Sequence, residues 1–261
     1  MTNVFTVKGL RYRYPKAPRD ALKGLDFEVR EGEIFGLLGP SGAGKSTTQK
    51  ILTKLLENYE GTVSCLGEDL RKTGRAYYER IGVGFEMPVH FTKLTAMESL
   101  KFFQGFYKKT ADIEDLLTRV GLWEHRDIRV GEYSKGMKVR LNFVRAMINM
   151  PQILFLDEVT NGLDPVNARV IKDMIAEFRK NGGTVFLTTH LMSDVEQLCD
   201  RVAFCVEGKL SEVSTPRELK LRYGTREVMI EYREGDLLNR LSFPMAGIGG
   251  NDEFIRILRE K

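Results

Sequence analysis

Residues 33–47 read Glu33-Ile-Phe-Gly-Leu-Leu-Gly39-Pro-Ser-Gly-Ala-Gly44-Lys45-Ser46-Thr47, and this stretch decides the fold. Glu33 to Leu38 is a short apolar run of the kind that forms a buried strand. From Ser46 to Leu56, Ile51, Leu52, Leu55 and Leu56 recur at helical spacing. Between them, Gly39 to Ser46 matches G-x-x-x-x-G-K-[ST], placed between strand and helix as a phosphate-binding loop requires. Glycines let such a loop curl until successive backbone N–H groups face phosphate oxygens, and the helix N-terminus adds its positive partial charge. The whole run Gly39, Pro40, Ser41, Gly42, Ala43, Gly44, Lys45, Ser46 and Thr47 is therefore the candidate nucleotide contact. Lys45 would bridge the β- and γ-phosphates, and the Ser46 hydroxyl would hold Mg²⁺, a hard cation that prefers oxygen. Ordinary residue usage gives on the order of one chance match per hundred chains of this size, and the strand–loop–helix setting discounts that reading.

Two further apolar runs, Ile153 to Leu156 and Thr184 to Thr189, bracket a helix carrying Val170, Ile171, Met174, Ile175 and Phe178, which makes a second β-α-β unit. Asp157 and Glu158 leave the first of these strands at its C-terminal edge, where ligands bind in open α/β sheets. Successive side chains diverge there, so Asp157 can face Mg²⁺ while Glu158 faces a water in line with the γ-phosphate. His190 ends the second strand on the same edge, within reach of the same groups. The other histidines, His90 and His125, read as surface residues without a role. Helix starts are marked at Asp164-Pro165, at Thr95 with Glu98, and at Ser193 with Glu196. Ala96 to Val130 reads as helix throughout and forms a helical insertion. After Ser214 a short helix at Thr215-Pro-Arg-Glu218, a strand at Glu227 to Tyr232 and a helix at Asp252 to Glu260 make a small appendage.

The chain has 261 residues, 42% of them hydrophobic, enough to bury a real core. Its 40 basic and 36 acidic residues leave +4, too mild to point to nucleic acid as a partner. Cys65, Cys199 and Cys205 have no paired short spacing, so they read as reduced thiols in a cytosolic protein and not as a disulfide framework or zinc site. The start of the chain lacks a basic-then-apolar signal pattern, and charge-free stretches such as Ala146 to Leu156 are too short to span a bilayer.

Taken in order, these residues resemble the ATP-binding cassette (ABC) ATPases, the nucleotide-binding subunits of ABC transporters, over about Val4 to Ser214. Tyr133-Ser-Lys-Gly-Met137 looks like the family's signature motif and is followed by a helix with Met137, Leu141, Val144 and Ile148 on one face. Asn161-Gly-Leu-Asp164 resembles the D-loop, His190 the switch histidine, and Tyr14 the aromatic that stacks on adenine. The resemblance implies an α/β P-loop NTPase fold: a RecA-like core with a mostly parallel sheet, an N-terminal antiparallel β part and a helical subdomain at about 87–145. It places the ATP-binding domain at 1–214 and the α+β appendage at 215–261. It also implies a Mg²⁺-dependent ATPase that works as two cassettes closing head to tail, with each ATP between the phosphate loop of one and Ser134 and Gly136 of the other. Asp164 would join that composite site. A separate membrane permease would then hold the subunit on the inner face of the cell membrane.

Three departures mark the branch. The signature reads YSKGM where LSGGQ is common, Glu86 stands at the Q-loop glutamine, and Val159 replaces the usual proline after Asp157-Glu158. Glu86 can still accept from a metal-bound water but cannot donate. YSKGM with a glutamate resembles the exporter-type branch of multidrug, antibiotic-resistance and sodium export. A groove between the Glu86 loop and the Thr95 to Tyr107 helix, lined by Phe91, Leu94, Phe102 and Phe103, would dock the permease, although most of these aromatics could equally form the insertion's core, with Phe91 and Leu94 the more exposed. A GTPase is disfavoured because no N-K-x-D segment follows the nucleotide strands. A module that holds ATP without turnover stays open, opposed by Glu158 alone.

Overall fold

Alternation writes the first layer. Along β2 (Leu22–Arg30) Leu25, Phe27 and Val29 are buried while Asp26, Glu28 and Arg30 are exposed, and the strand pairs antiparallel with β1 (Asn3–Tyr12). β3 (Ile34–Leu38) is buried at every residue, as a strand covered on both faces must be. The computed structural model describes residues 2–87, 89–224, 227–235 and 237–260, and the chain divides into two units, Met1–Pro216 and Arg217–Lys261.

The helix after the phosphate loop, α1 (Lys45–Leu52), is shorter than the apolar spacing suggests. Lys54 takes a left-handed φ of 59°, the N–H groups of Leu55 and Leu56 both turn back to the Lys50 carbonyl, and Leu55 is 56% exposed. β4 (Glu60–Cys65) and β5 (Glu68–Asp69) complete a four-stranded sheet of order β2-β1-β4-β5. α2 (Ala76–Arg80) then leads into β6 (Ile81–Gly84).

The insertion is not one continuous helix. α3 (Ala96–Gln104) opens with the expected capping box, in which Thr95 Oγ1 accepts from Glu98 N at 3.1 Å and Glu98 Oε2 accepts from Thr95 N at 2.9 Å. It stops at Gly105, and α4 (Ile113–Arg119) restarts from Asp112, whose Oδ1 accepts from Glu114 N at 2.7 Å. Gly121, at φ 67°, ends that helix, and short 3₁₀ turns follow at Trp123–His125 and Val130–Glu132. Apolar spacing runs across these breaks; the caps and glycines are what interrupt it.

α5 (Lys135–Met147) starts from Ser134 and leads to β7 (Ile153–Asp157). α6 (Pro165–Lys180) starts from Asp164, whose Oδ1 accepts from the N–H groups of Val166 and Asn167, each at 3.0 Å. β8 (Thr184–Thr189) precedes α7 (Met192–Leu198), which begins ahead of Ser193: its N-cap is Leu191 with no side-chain cap, so the expected Ser193–Glu196 capping box does not open it. β9 (Arg201–Val206) and β10 (Lys209–Ser214) finish a six-stranded sheet of order β10-β9-β3-β8-β7-β6, parallel throughout except for the β9–β10 pair.

Phenylalanine rings join the two sheets. Phe27 stacks on Phe35 at 5.6 Å, Phe35 on Phe186 at 5.9 Å, and Phe5 meets Phe155 edge-on at 5.7 Å. Burying each such side chain contributes about 1.5–3 kcal/mol. All three cysteines are free and buried. Among the described residues no helix is long and apolar enough to cross a membrane.

In the C-terminal stretch α8 (Pro216–Tyr223) precedes an antiparallel hairpin of β11 (Glu227–Glu234) and β12 (Leu237–Pro244), and α9 (Asp252–Glu260) follows. Phe243 and Ile257 are buried, and Phe243 meets Phe254 edge-on at 5.5 Å. The second hairpin strand, β12, carries too little alternation to be read from sequence.

Candidate functional site

Strand order brings the functional segments together. β3, β8, β7 and β6 are consecutive and parallel, with Leu38 opposite Thr189, Asp157 opposite Thr188 and Gly84 opposite Leu156. Their C-terminal ends therefore lie in a row, which delivers the 39–44 loop, His190, Glu158 and Glu86 to one edge. A cleft of about 480 Å³ opens there, lined by Tyr14, Ala21, Ser41, Gly42, Gly44 to Thr47, Glu86, Glu158, Asn161 and His190. A larger hollow of about 570 Å³ lies at the opposite ends of β7 and β8, around Gln152 and Thr184, away from these groups.

Two glycines of the loop are sterically required. Gly44 has φ 111°, and a Cβ there would sit 2.7 Å from Leu22 Cδ2 and 3.0 Å from Ala21 O. At Gly39 a Cβ would lie 2.1 Å from the Cys205 carbonyl. The loop is braced from behind, since Ala43 O accepts from Gly208 N at 2.9 Å and from Cys205 Sγ at 3.0 Å. Lys45 curls over it, its Nζ donating to Gly39 O at 2.7 Å and Pro40 O at 3.2 Å. The ammonium is 3.9 Å from Glu158 Oε1, so its charge faces the cleft with no tight carboxylate partner.

Glu158 is the strained residue of the site. It holds a left-handed φ of 51°, a conformation that costs a non-glycine residue roughly 1–2 kcal/mol, and its N–H is tied to Thr188 O at 3.0 Å. His190 Nδ1 lies 2.8 Å from Glu158 Oε2, but the ring N–H is not aligned on that oxygen, which is buried without a hydrogen-bond partner. A buried, unfilled acceptor thus lies at the cleft wall beside a half-exposed imidazole. Asp157, buried, accepts a hydrogen bond at Oδ1 from Thr188 Oγ1 and does not line the cleft.

Tyr14 stands at the rim, its hydroxyl 3.2 Å from Thr47 Oγ1 and its ring edge-on to Tyr12. Glu86 is exposed in the cleft on a loop that α5 holds from behind: Asn142 Nδ2 donates to Phe85 O at 2.9 Å, Arg145 Nη1 to Val89 O at 3.0 Å, and Arg145 Nη2 to Asn142 Oδ1 at 2.8 Å. His90 belongs to this packing and is not a surface residue. It is half-buried with Nε2 unpartnered, and burial, then the neighbouring Arg145, pulls its pKa down to about 4. His125 is exposed.

Ser134, Gly136 and Asp164 are not brought to the cleft. Ser134 is exposed and caps α5, its Oγ accepting from Met137 N at 3.2 Å. A Cβ at Gly136 would touch only Leu163 Cδ2, at 3.7 Å, so that helix end presents open backbone. Asp164 is engaged at the start of α6, and the Asn167 side chain bonded to it lowers its pKa. Asn161 and Ala21 line the cleft without having been singled out as contacts. Asn161 was legible only as part of the D-loop, and Ala21 carries no sequence signal. Of the aromatics expected along the groove, Phe91 and Phe102 are 46% and 48% exposed, joined by Phe106 at 51%, whereas Leu94 and Phe103 are half-buried.

Chemically the cleft offers a cationic, N–H-rich loop for a polyphosphate, a hydroxyl at Ser46 for a cation, an aromatic face, and a carboxylate with a free acceptor beside an imidazole. Residues 22–161 match the ABC transporter family. The chain is 50% identical over 260 residues to a fluoroquinolones export ATP-binding protein of Mycobacterium tuberculosis, covering 99% of this chain and 86% of that one. It is 39% identical over 202 residues to a bacitracin transport ATP-binding protein of Bacillus licheniformis, covering 76% and 66%. A solved ATP binding subunit of an ABC transporter superposes with a TM-score of 0.76 at 28% identity, over 85% of this chain and 93% of that one. This chain therefore belongs to the ABC transporter family, as one of its ATP-binding subunits.

Proposed function

We propose that this subunit binds and hydrolyses Mg²⁺-ATP and couples that cycle to export through a separate membrane permease. The observation that carries the reading is the single cleft in which the phosphate loop, Tyr14, Glu86, Glu158 and His190 converge. In it the 41–47 backbone and Lys45 bind the phosphates, Tyr14 stacks on the base, and the Glu158 carboxylate accepts a proton from the attacking water. His190, at 2.8 Å, steadies that carboxylate.

Mg²⁺ bound with a nucleotide keeps several waters and needs only one or two protein oxygens, so the donors present fit it even though the described residues contain no cluster of three metal-ligating side chains. Ser46 would hold it directly, while Asp157, set behind the cleft wall on Thr188, and Glu86 would each act through a bound water. The ion would supply neutralisation of phosphate charge.

Ser134 and Gly136 do not line the chain's own cleft, which favours a second cassette, arranged head to tail, as the source of the opposite wall. The 1–214 segment is read as the ATP-binding domain, with the insertion at about 87–145 as its helical subdomain and 215–261 as an appendage. The permease would dock beside the insertion, where exposed Phe91, Phe102 and Phe106 flank a hollow of about 520 Å³ that includes Met87, Val89, Phe103 and Arg145. Through that contact the subunit would lie on the inner face of the membrane. Export is the reading favoured by relatives named for fluoroquinolone export and bacitracin transport.

The test is Glu158→Gln. The variant should bind ATP as tightly as the parent, lose turnover, and run as an ATP-dependent dimer on size exclusion. Turnover at the parent rate would end the assignment of Glu158.

A further inference from the structure

Behind the Glu158–His190 contact lies a buried ion pair that the reading above leaves without a task. Asp194, on α7, is 3% exposed. One of its oxygens, Oδ1, is 2.6 Å from Lys172 Nζ on α6, and the other, Oδ2, accepts a hydrogen bond from Thr160 Oγ1. Lys172 is completed by Gln197 Oε1 at 2.9 Å. A carboxylate this deeply buried costs several kcal/mol in lost hydration unless its acceptors are filled, so the charge on Asp194 fixes the positions of both partners.

Where those partners sit gives the arrangement its meaning. Thr160 is two residues beyond Glu158, and Asp194 is four beyond His190. The Thr160–Asp194 bond therefore ties the loop that carries Glu158 to the helix that follows His190. On the strand side, Thr188 Oγ1 bonds Asp157, the residue before Glu158. Glu158, with its left-handed φ of 51°, is thus bracketed by two threonine-to-aspartate hydrogen bonds, one before it and one after. Strained backbone persists only where its surroundings over-determine it, and misplacing a reacting group by about 1 Å can cost about a hundredfold in rate.

We propose that Thr160 and Asp194 are positioning residues for hydrolysis, with Lys172 as the ion-pair partner that holds Asp194 in place. They clamp the post-β7 loop to α7 so that the Glu158 carboxylate stays beside His190 at the edge of the cleft. The inference rests on Glu158 being the group that orients the attacking water.

The test compares Thr160→Val, which keeps the volume and loses the hydroxyl, with Thr160→Ser, which keeps the hydroxyl and loses the methyl. Steady-state kcat and KM for Mg²⁺-ATP are measured on each full-length variant, and again with each in the Glu158→Gln background under single turnover. Thr160→Val should lower kcat about tenfold with KM within about twofold, Thr160→Ser should keep at least half the parent rate, and Thr160→Val should change the Glu158→Gln rate less than twofold. A parent-like kcat for Thr160→Val, an equal loss in Thr160→Ser, or a further tenfold loss in the Glu158→Gln background would each overturn the proposal. If Thr160→Val fails to fold, judged by the fluorescence of Trp123, Thr160→Ala is held to the same limits. Full turnover by Glu158→Gln alone would instead overturn the reading of Glu158, an outcome read from a different variant.

Discussion

Asn142→Ala tests whether the Glu86 loop is held from α5. Asn142 is 1% exposed and sits at the centre of the tie, donating to Phe85 O at 2.9 Å and accepting from Arg145 Nη2 at 2.8 Å. Truncation removes both bonds. The neutral one is worth about 1 kcal/mol and the one to the guanidinium about 1.5–2 kcal/mol, so the unit should lose about 2–3 kcal/mol. Burial already lowers the Arg145 pKa, and its remaining acceptor is Val89 O at 3.0 Å. In urea, with a slope of about 2–3 kcal/mol per molar, the midpoint should fall by about 1 M. Trp123 is the chain's single tryptophan and lies in the same unit, with Arg126 over its ring at 4.2 Å, so its fluorescence follows this transition. Asn142→Asp keeps an acceptor for Arg145 but sets a carboxylate oxygen against Phe85 O, so it should cost about 1–3 kcal/mol through that contact alone. A midpoint shift below about 0.3 M for Asn142→Ala would mean that these bonds do not hold the loop, and the reasoning would fail.

Gly44→Ala should abolish nucleotide binding in a fluorescent-ATP titration, because its Cβ meets Leu22 Cδ2 at 2.7 Å on a backbone at φ 111°; unchanged affinity would show that the loop yields freely. Tyr14→Phe should keep ATP affinity within about threefold, since it loses only the hydroxyl contact to Thr47, whereas Tyr14→Ala should weaken it by about tenfold as the stacking face is lost, both read by calorimetry. His90 titrates near 6.5 when unfolded and is pulled down to about 4 in the fold, so the neutral form is the one the fold favours. Its contribution is complete above pH 6.5 and is lost as pH falls toward 4; after discounting for partial exposure that is about 2 kcal/mol, and His90→Gln should show a flatter melting-temperature profile across this window than the parent.

The elements that position the cleft were the ones sequence could state. Glu33 to Thr47 carries a strand, a loop with its own steric demands and a helix start within fifteen residues, all local facts. Asp164 and Thr95 are also local, because a cap and the N–H groups it serves lie within three residues of each other. The misreadings share a cause. Ala96 to Val130 keeps helical spacing across Gly105 and Asp112, where a terminus outranks periodicity, and Leu55 keeps it beyond Leu52, where the helix has already ended. His90 could not be placed because what buries it, Arg145 and α5, lies some fifty residues away in the chain. Asp194 and Thr160 likewise meet only once the sheet has formed.

The exposed Ser134 end of α5 also has a bearing on kinetics. If Ser134 and Gly136 close the cleft of a second copy, as proposed, the reaction chamber is completed only when two molecules meet. In dilute solution its specific activity should climb with its own concentration, since the encounter is second order. Tethering two copies to one membrane complex would replace that search with a fixed local concentration and make turnover independent of how much protein is present. On this view a membrane partner would set the rate law.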